Sequence, residues 1–343
     1  MEQLPKIRKQ VAFITESGND IGYGHLYRSI ALASSFQEKG CKVFFLTNEE
    51  SNAIISEQLQ GVEVYNDPIA KGQLKNTDVV LFDVHKDSFQ RYKSLNDDLI
   101  EQTTVTIIDH AFREAVLTTD FVFEVGFQTY KSQLLEKKVG NKLIKCYSGK
   151  DFLIFRKEFE KVSPHNPRKN ADKILVSMGG SDPSAITEKV AESLELSSNK
   201  YNITYVLGNG FSENRLDLLK KIHLNSVHKI SYLQNINNMA TVMAKHDLAI
   251  INGGNTRFEL AKLGVPFISI PFQQVQKELS DKIAKEGIGV SLGMYNEITD
   301  HEISDKVNDI INNYAFRNKQ SLFMTSIFNY NDRYNILERL QVV

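Results

Sequence analysis

The chain reads as an α/β protein with two parallel-sheet domains facing a cleft. Three observations point there. Short apolar β runs alternate with helical stretches along the chain. The alternation is interrupted once, by KEFEKVSPHNPRKNADK, which has two prolines, many charges and no apolar periodicity. Glycine turns recur where a strand gives way to a helix. At 343 residues the chain can bury two cores. The expected division is residues 1–160, a linker at 161–172, and residues 173–343 with a helical tail.

In the first half, Val11 to Thr15 is a buried strand, and a glycine-containing loop leads into a helix from His25 to Lys39 that stops at Gly40. Cys41 to Leu46 is the next strand, Ser51 to Leu59 a helix, and Val62 to Tyr65 a short strand. Asp78 to Phe82, Val105 to Ile108 and Phe121 to Val125 are further β runs, with a helix-like segment between the first two. After the linker come strands at Ile174 to Met178, Asn202 to Leu207, Asp247 to Ile251 and Pro266 to Ile270, and a short extended piece at Val227 to Ile230. Helices are expected at Ala185 to Leu196, Arg215 to Ile222, Ile236 to Lys245, from Thr256 to Leu263 and at Lys277 to Glu286. The tail from His301 to Leu340 reads as two or more helices.

Composition excludes several classes. With 41% hydrophobic and 24% charged residues the chain is globular rather than disordered. A formal net charge of −1 gives no global attraction to nucleic acid or anionic membranes, and the 10% aromatic residues are not interleaved with basic ones. No nucleic-acid partner is expected. The two cysteines, Cys41 and Cys146, lack metal-ligand spacing and suit a reduced compartment. No apolar run approaches membrane-spanning length, and the N-terminus MEQLPKIRKQ lacks a signal-peptide core, so a cytoplasmic protein is expected. Oligomeric state is not legible.

Three turns carry the candidate chemistry. The first is Gly22-Tyr23-Gly24-His25-Leu26-Tyr27-Arg28. The second is Gly179-Gly180-Ser181-Asp182-Pro183, where Ser181 or Asp182 can cap the helix that follows. The third is Asn252-Gly253-Gly254-Asn255, leading into a helix at Thr256. Each is either an ordinary βα turn or an anion site, where glycines admit a ligand to the backbone and the helix start supplies N–H groups. There is no GxGxxG, because Tyr27 stands at its third glycine, and no P-loop. The two turns of the second half could cradle a diphosphate, with Glu259 placed one helical turn on for ribose hydroxyls. His25 either caps its helix or acts as a general base, the helix dipole favouring a neutral ring. Arg28 is an anion contact or a solvated helix residue. Asp83-Val84-His85 and Asp109-His110 end two strands, where the carboxylates cap helices or face the cleft. A metal site from Asp83, His85, Asp109 and His110 is conceivable, but their spacing is not diagnostic of one.

Together GYGHLYRSIALA, ILVSMGGSDPSAITEKV and DLAIINGGNTRFELAKLGVP resemble the UDP-2,4-diacetamido-2,4,6-trideoxy-β-L-altropyranose hydrolases of pseudaminic acid biosynthesis. The chain is similar also to the spore-coat polysaccharide biosynthesis proteins, some described as glycosyltransferases. Both are similar in fold to the GT-B transferase that adds N-acetylglucosamine to form lipid II. The resemblance runs through most of the chain, including YSGKDFLIFRKEF before the linker. It implies a GT-B-like pair of Rossmann-like domains with a UDP-sugar between them. It implies pyrophosphate turns at Gly179-Gly180-Ser181 and Gly253-Gly254-Asn255, and a ribose contact at Glu259. The implied reaction is metal-free and needs no cofactor: His25 activates water against the anomeric carbon and UDP leaves. The same site could instead serve a glycosyltransferase or a catalytically silent sugar-nucleotide-binding partner. Candidate substrate contacts in the first half are Gly22, Gly24, Arg28, Asp83, His85 and Asp109. Those in the second half are Gly179, Gly180, Ser181, Asp182, Gly253, Gly254, Asn255, Thr256, Glu259 and Gln276. The family's Asp-x-Tyr is Asp83-Val84-His85 here, its Asp-Asp is Asp109-His110, its Gly-Pro is Gly149-Lys150 and its Asn-Gln is Val275-Gln276. The first three departures lie on the sugar-facing side.

Overall fold

The computed structural model describes residues 9–18, 22–66, 71–85, 92, 99, 102–108, 119–125, 130–180, 182–208, 210–234, 236, 238–328 and 334–341. The chain forms two compact units, residues 1–156 with 331–343, and residues 157–330.

The first unit begins with β1 (Gln10–Thr15), α1 (Gly24–Glu38), β2 (Lys42–Leu46), α2 (Glu49–Gln58) and β3 (Glu63–Tyr65). It continues with β4 (Val79–Asp83), β5 (Thr103–Ile108), β6 (Phe121–Glu124), β7 (Gln133–Val139) and β8 (Lys142–Ser148). Its eight-stranded sheet has the order β3-β2-β1-β4-β5-β6-β8-β7. Every pairing is parallel except β7 with β8. Continuous apolar strands are the signature of a sheet covered on both faces. Accordingly Val11 and Phe13 of β1 enter one core, with Leu26, Ile30 and Phe36 of α1, while Ala12 and Ile14 enter the core on the other face. The β7–β8 hairpin is an element the sequence pattern does not announce. It turns through Gly140 at φ +60° and Asn141, and Leu134 and Leu135 are each 48% exposed. The helix-like segment expected between β4 and β5 lies outside the described residues.

The second unit opens with α3 (Glu158–Lys161), β9 (Lys173–Ser177), α4 (Ile186–Glu195), β10 (Asn202–Leu207), α5 (Glu213–Ile222) and β11 (Lys229–Gln234). Then come α6 (Met239–Ala244), β12 (Leu248–Ile251), α7 (Thr256–Leu263), β13 (Phe267–Ser269), α8 (Gln274–Lys285) and β14 (Val290–Ser291). The helices α9 (Asp300–Asn312) and α10 (Tyr314–Phe328) complete it. Its six-stranded parallel sheet runs β11-β10-β9-β12-β13-β14. The expected linker is held against this unit. Arg168 donates to both carboxylate oxygens of the fully buried Asp247, and Arg317, also fully buried, donates to the carbonyl of Arg168 at 2.9 Å.

The last helix, α11 (Asn335–Arg339), corrects the expected domain limits. Ile336, Leu337 and Leu340 enter the first unit's core, so the end of the tail belongs with the N-terminal half. Burial of three apolar side chains fixes it there.

Candidate functional site

Both halves place their candidate residues at the carboxyl ends of strands, where the strand order reverses. In the first unit that point lies between β1 and β4, which pair with Thr15 opposite Asp83. In the second it lies between β9 and β12, which pair with Ile251 opposite Ser177. Such switch points are where open parallel sheets bind ligands.

In the first unit the turn before α1 is closed by paired backbone bonds between Gly18 and Gly22, at 3.3 and 2.7 Å. Tyr23 is the N-cap of α1 and makes no side-chain cap bond; its hydroxyl donates to Glu50, and burial, followed by that bond, pushes it up to about 12. His25 therefore does not cap the helix. Its Nδ1 lies 2.7 Å from Oδ1 of Asp83, which is only 1% exposed. Arg28, one turn along α1, grips the same carboxylate: Nε donates to Oδ2 at 2.8 Å and Nη2 to Oδ1 at 2.5 Å. Ser29 Oγ adds a longer bond to Oδ2 at 3.4 Å. Burial alone would raise the Asp83 carboxyl, but the charge and hydrogen bonds of Arg28, then the bond from His25, hold it below its ordinary value. The His25 Nδ1 is thus contacted both by Asp83 Oδ1 at 2.7 Å and by Arg28 Nη2 at 3.0 Å; a hydrogen bond to the carboxylate requires the ring hydrogen on Nδ1, the tautomer that would leave Nε2 to accept a proton. The His85 ring stands edge-on to that of His25, centroids 6.3 Å apart.

Arg28, read as an anion contact or a solvated residue, is buried rather than solvated and is bound to Asp83. Asp83, read as a helix cap or substrate contact, is bonded through its two carboxylate oxygens to His25 and Arg28. Asp109 lies outside the described residues.

In the second unit the two glycine turns are stitched together by Asn252. Its Nδ2 donates to the carbonyl of Met178 at 2.8 Å, and its Oδ1 accepts from the amide of Gly254 at 3.1 Å. Gly253 has φ +78°, and a Cβ there would meet Ser280 Oγ at 2.7 Å, so a side chain would be strained and would have to displace Ser280. Buried Arg257 donates to the Gly253 carbonyl from below and stacks on Phe258, its guanidinium carbon 4.6 Å from the ring centre. The α7 N-terminus has Asn255 as N-cap and no side-chain cap bond, while the amides of Arg257 and Phe258 donate to the carbonyls of Gly254 and Asn255 at 3.2 and 2.9 Å. Thr256 and Glu259 lie half-buried on that first turn. Gln276 accepts from the amide of Phe272 at 3.3 Å, which holds the loop beside Gly253.

The α4 N-terminus is different, and Asp182 is the reason. Its carboxylate accepts from the amides of Ile186 and Thr187, both at 3.0 Å, and from Arg215 Nη2 at 2.8 Å. Arg215 is held in turn by Glu188 at 2.5 and 2.6 Å. Asp182 was expected among the substrate contacts; it is 4% exposed and serves as the helix's internal anion. Ser181 lies outside the described residues.

Gly208, Arg257 and Arg215 shape these turns without having been expected there. A Cβ on Gly208 would lie 2.2 Å from the carbonyl oxygen of Gly180, so the end of β10 presses on the turn after β9. Its signal was present in Gly208-Asn209-Gly210, a glycine turn directly after a strand. Among the described residues no group of three or more His, Cys, Asp or Glu could hold a metal ion, and no helix is long and apolar enough to cross a membrane.

Residues 174–339 match the glycosyltransferase family 28 C-terminal domain. The chain is 30% identical over 292 residues to an uncharacterised protein of Methanocaldococcus jannaschii, covering 81% of this chain and 58% of that one. It thus spans less than two thirds of that relative. It is 24% identical to the spore coat polysaccharide biosynthesis protein SpsG of Bacillus subtilis, covering 90% of each. The crystal structure of MurG from Acinetobacter baumannii superposes with a TM-score of 0.67 at 16% identity, over 98% of this chain and 100% of that one. The architecture of two parallel-sheet α/β domains is that of the GT-B glycosyltransferases.

Proposed function

We propose that the chain is a nucleotide-sugar enzyme of surface-polysaccharide synthesis that transfers the glycosyl group of a UDP-sugar to a hydroxyl, with His25 as general base. The observation that carries the reading is the 2.7 Å bond from His25 to buried Asp83 at the switch point of the first sheet. The family 28 match supports a nucleotide-binding second half, and the similarity to SpsG supports the polysaccharide setting. In this reading the Gly253 turn and the uncapped α7 N-terminus hold the diphosphate, the Gly179–Gly180 turn flanks it, and Glu259 accepts from the ribose hydroxyls. His25 Nε2 takes the acceptor's proton as its oxygen bonds to the anomeric carbon. The bond from that carbon to the diphosphate oxygen breaks, and its electron pair leaves with UDP.

A second reading puts water in the acceptor's place. The GYGH and GGSDP stretches, which resemble the pseudaminic acid hydrolases, favour it. Incubation with UDP-linked sugars separates the two. UDP release only when a sugar or polysaccharide acceptor is added supports transfer; steady release in its absence supports hydrolysis. His25→Ala is expected to lower either turnover by about 10²–10⁴-fold, the scale of a lost general base, with UDP affinity unchanged. Undiminished turnover in that variant would remove His25 from the mechanism.

A further inference from the structure

We infer that Arg28 is a positioning residue that lets Asp83 orient His25 without charging it; the inference rests on His25 being the base. A carboxylate beside a histidine does two things at once. It fixes the ring by accepting from Nδ1, and it stabilises the imidazolium. The second effect strengthens the base, but past the working pH it becomes a handicap, because a ring already protonated has no lone pair for the acceptor's proton.

Arg28 meets the same nitrogen from the other side. Its Nη2 lies 3.0 Å from His25 Nδ1, while Asp83 Oδ1 lies 2.7 Å away. Opposite unit charges at nearly equal distances largely cancel in the potential they place on the ring. The hydrogen bond to Oδ1 is directional and survives that cancellation. Asp83 and Arg28 are 1% and 6% exposed, so water screens neither. A guanidinium is suited to this role because it stays protonated and its fork engages both carboxylate oxygens. The spacing of His25 and Arg28, three residues apart on α1, puts both over the end of β4.

Among the described residues three further ionisable groups belong to the neighbouring elements. Glu50 of α2 accepts from Tyr23, Glu16 after β1 accepts from Tyr92 at 2.6 Å, and the His85 ring centre is 6.3 Å from that of His25. The positive end of the α1 dipole acts in the same sense as Arg28.

Two measurements test this. The first follows the His25 ring nitrogens by NMR in the unmodified protein at neutral pH. A neutral ring with its hydrogen on Nδ1 is expected. An imidazolium, or a hydrogen on Nε2 only, overturns the inference. This readout needs neither turnover nor a variant that folds, so a protein that shows the expected ring but turns over no UDP-sugar would count against the proposed function instead. The second measures the pH–rate profile. Arg28→Gln should move the acidic limb to higher pH by about one unit, a tenfold change in proton affinity, with KM little altered. The double variant Arg28→Gln/Asp83→Asn should bring the limb back while lowering kcat, because the ring loses its orienting acceptor. A limb that stays in place in Arg28→Gln overturns the inference.

Discussion

Adding one methyl group at Gly208 tests how the nucleotide half is built. The Cβ of an alanine there would lie 2.2 Å from the Gly180 oxygen, and 2.5 Å from both the Gly179 oxygen and the Gly180 carbonyl carbon. All three are backbone atoms, and non-bonded heavy atoms settle only near 3.5–4.0 Å, so the turn must move by about 1 Å or more. Overpacking of this kind costs about 1–3 kcal/mol. The displaced Gly180 oxygen also accepts from the amide of Gly210 at 2.9 Å, and losing that bond adds about 1 kcal/mol. Gly208→Ala should therefore destabilise the chain by about 2–4 kcal/mol in urea. It should weaken UDP binding in calorimetric titration by about tenfold or more, equivalent to 1.4 kcal/mol. Gly24→Ala is the control: nothing lies within 4 Å of a Cβ there, and the position is helical, so stability should change by less than about 1 kcal/mol, in the favourable direction. Parent-like stability and UDP affinity in Gly208→Ala would refute the claim that the end of β10 shapes the turn.

Asp182→Ala removes a helix cap and one partner of Arg215, and should cost about 2–3 kcal/mol in urea unfolding while UDP affinity changes by less than about tenfold. A large loss of affinity with unchanged stability would return Asp182 to the substrate contacts. Glu259→Ala should weaken UDP binding by about 1–3 kcal/mol, and an unchanged dissociation constant would count against its ribose role. Acid should destabilise the fold through Asp83 and Asp247. Burial would raise Asp247, but hydrogen bonds from Arg168 and from the amides of Lys173 and Asp172 outweigh it and hold it low, as Arg28 does for Asp83. A depressed folded-state value stabilises fully above the unfolded carboxylate value, about pH 3.9, and that contribution is lost as pH falls through the folded value. The urea midpoint should fall below about pH 4, and Asp247→Asn should flatten that fall.

The alternating strands and helices were legible because both faces of each sheet are buried, which writes unbroken apolar runs such as VAFIT and LAII into the chain. The β7 strand was not, because its described side chains face solvent and QLLEKK has no alternation to read. The helix expected from Ile236 begins only at Met239, where the Asn238 side chain accepts from the amide of Thr241. At the site, the glycine turns and His25 were visible as local patterns. The partnership of His25 with Asp83 was not, since 58 residues separate them and it is the pairing of β1 with β4 that brings them together. Asp182 shows the converse. A carboxylate at a glycine turn reads equally as ligand contact and as cap, and the left-handed Ala185 at φ 52°, which offers α4 no capping side chain, decides it.

The return of α11 to the first unit bears on how the two halves can be separated. The polypeptide crosses between the units twice, after Arg156 and before Asn331. A single cut therefore cannot yield two complete halves. Residues 157–330 form the piece whose core is continuous in sequence, whereas a fragment ending at 156 lacks Ile336, Leu337 and Leu340 and leaves an apolar hollow behind. The last turns of the chain are thus a structural plug for its beginning, and a tag or truncation there acts on the half that holds His25.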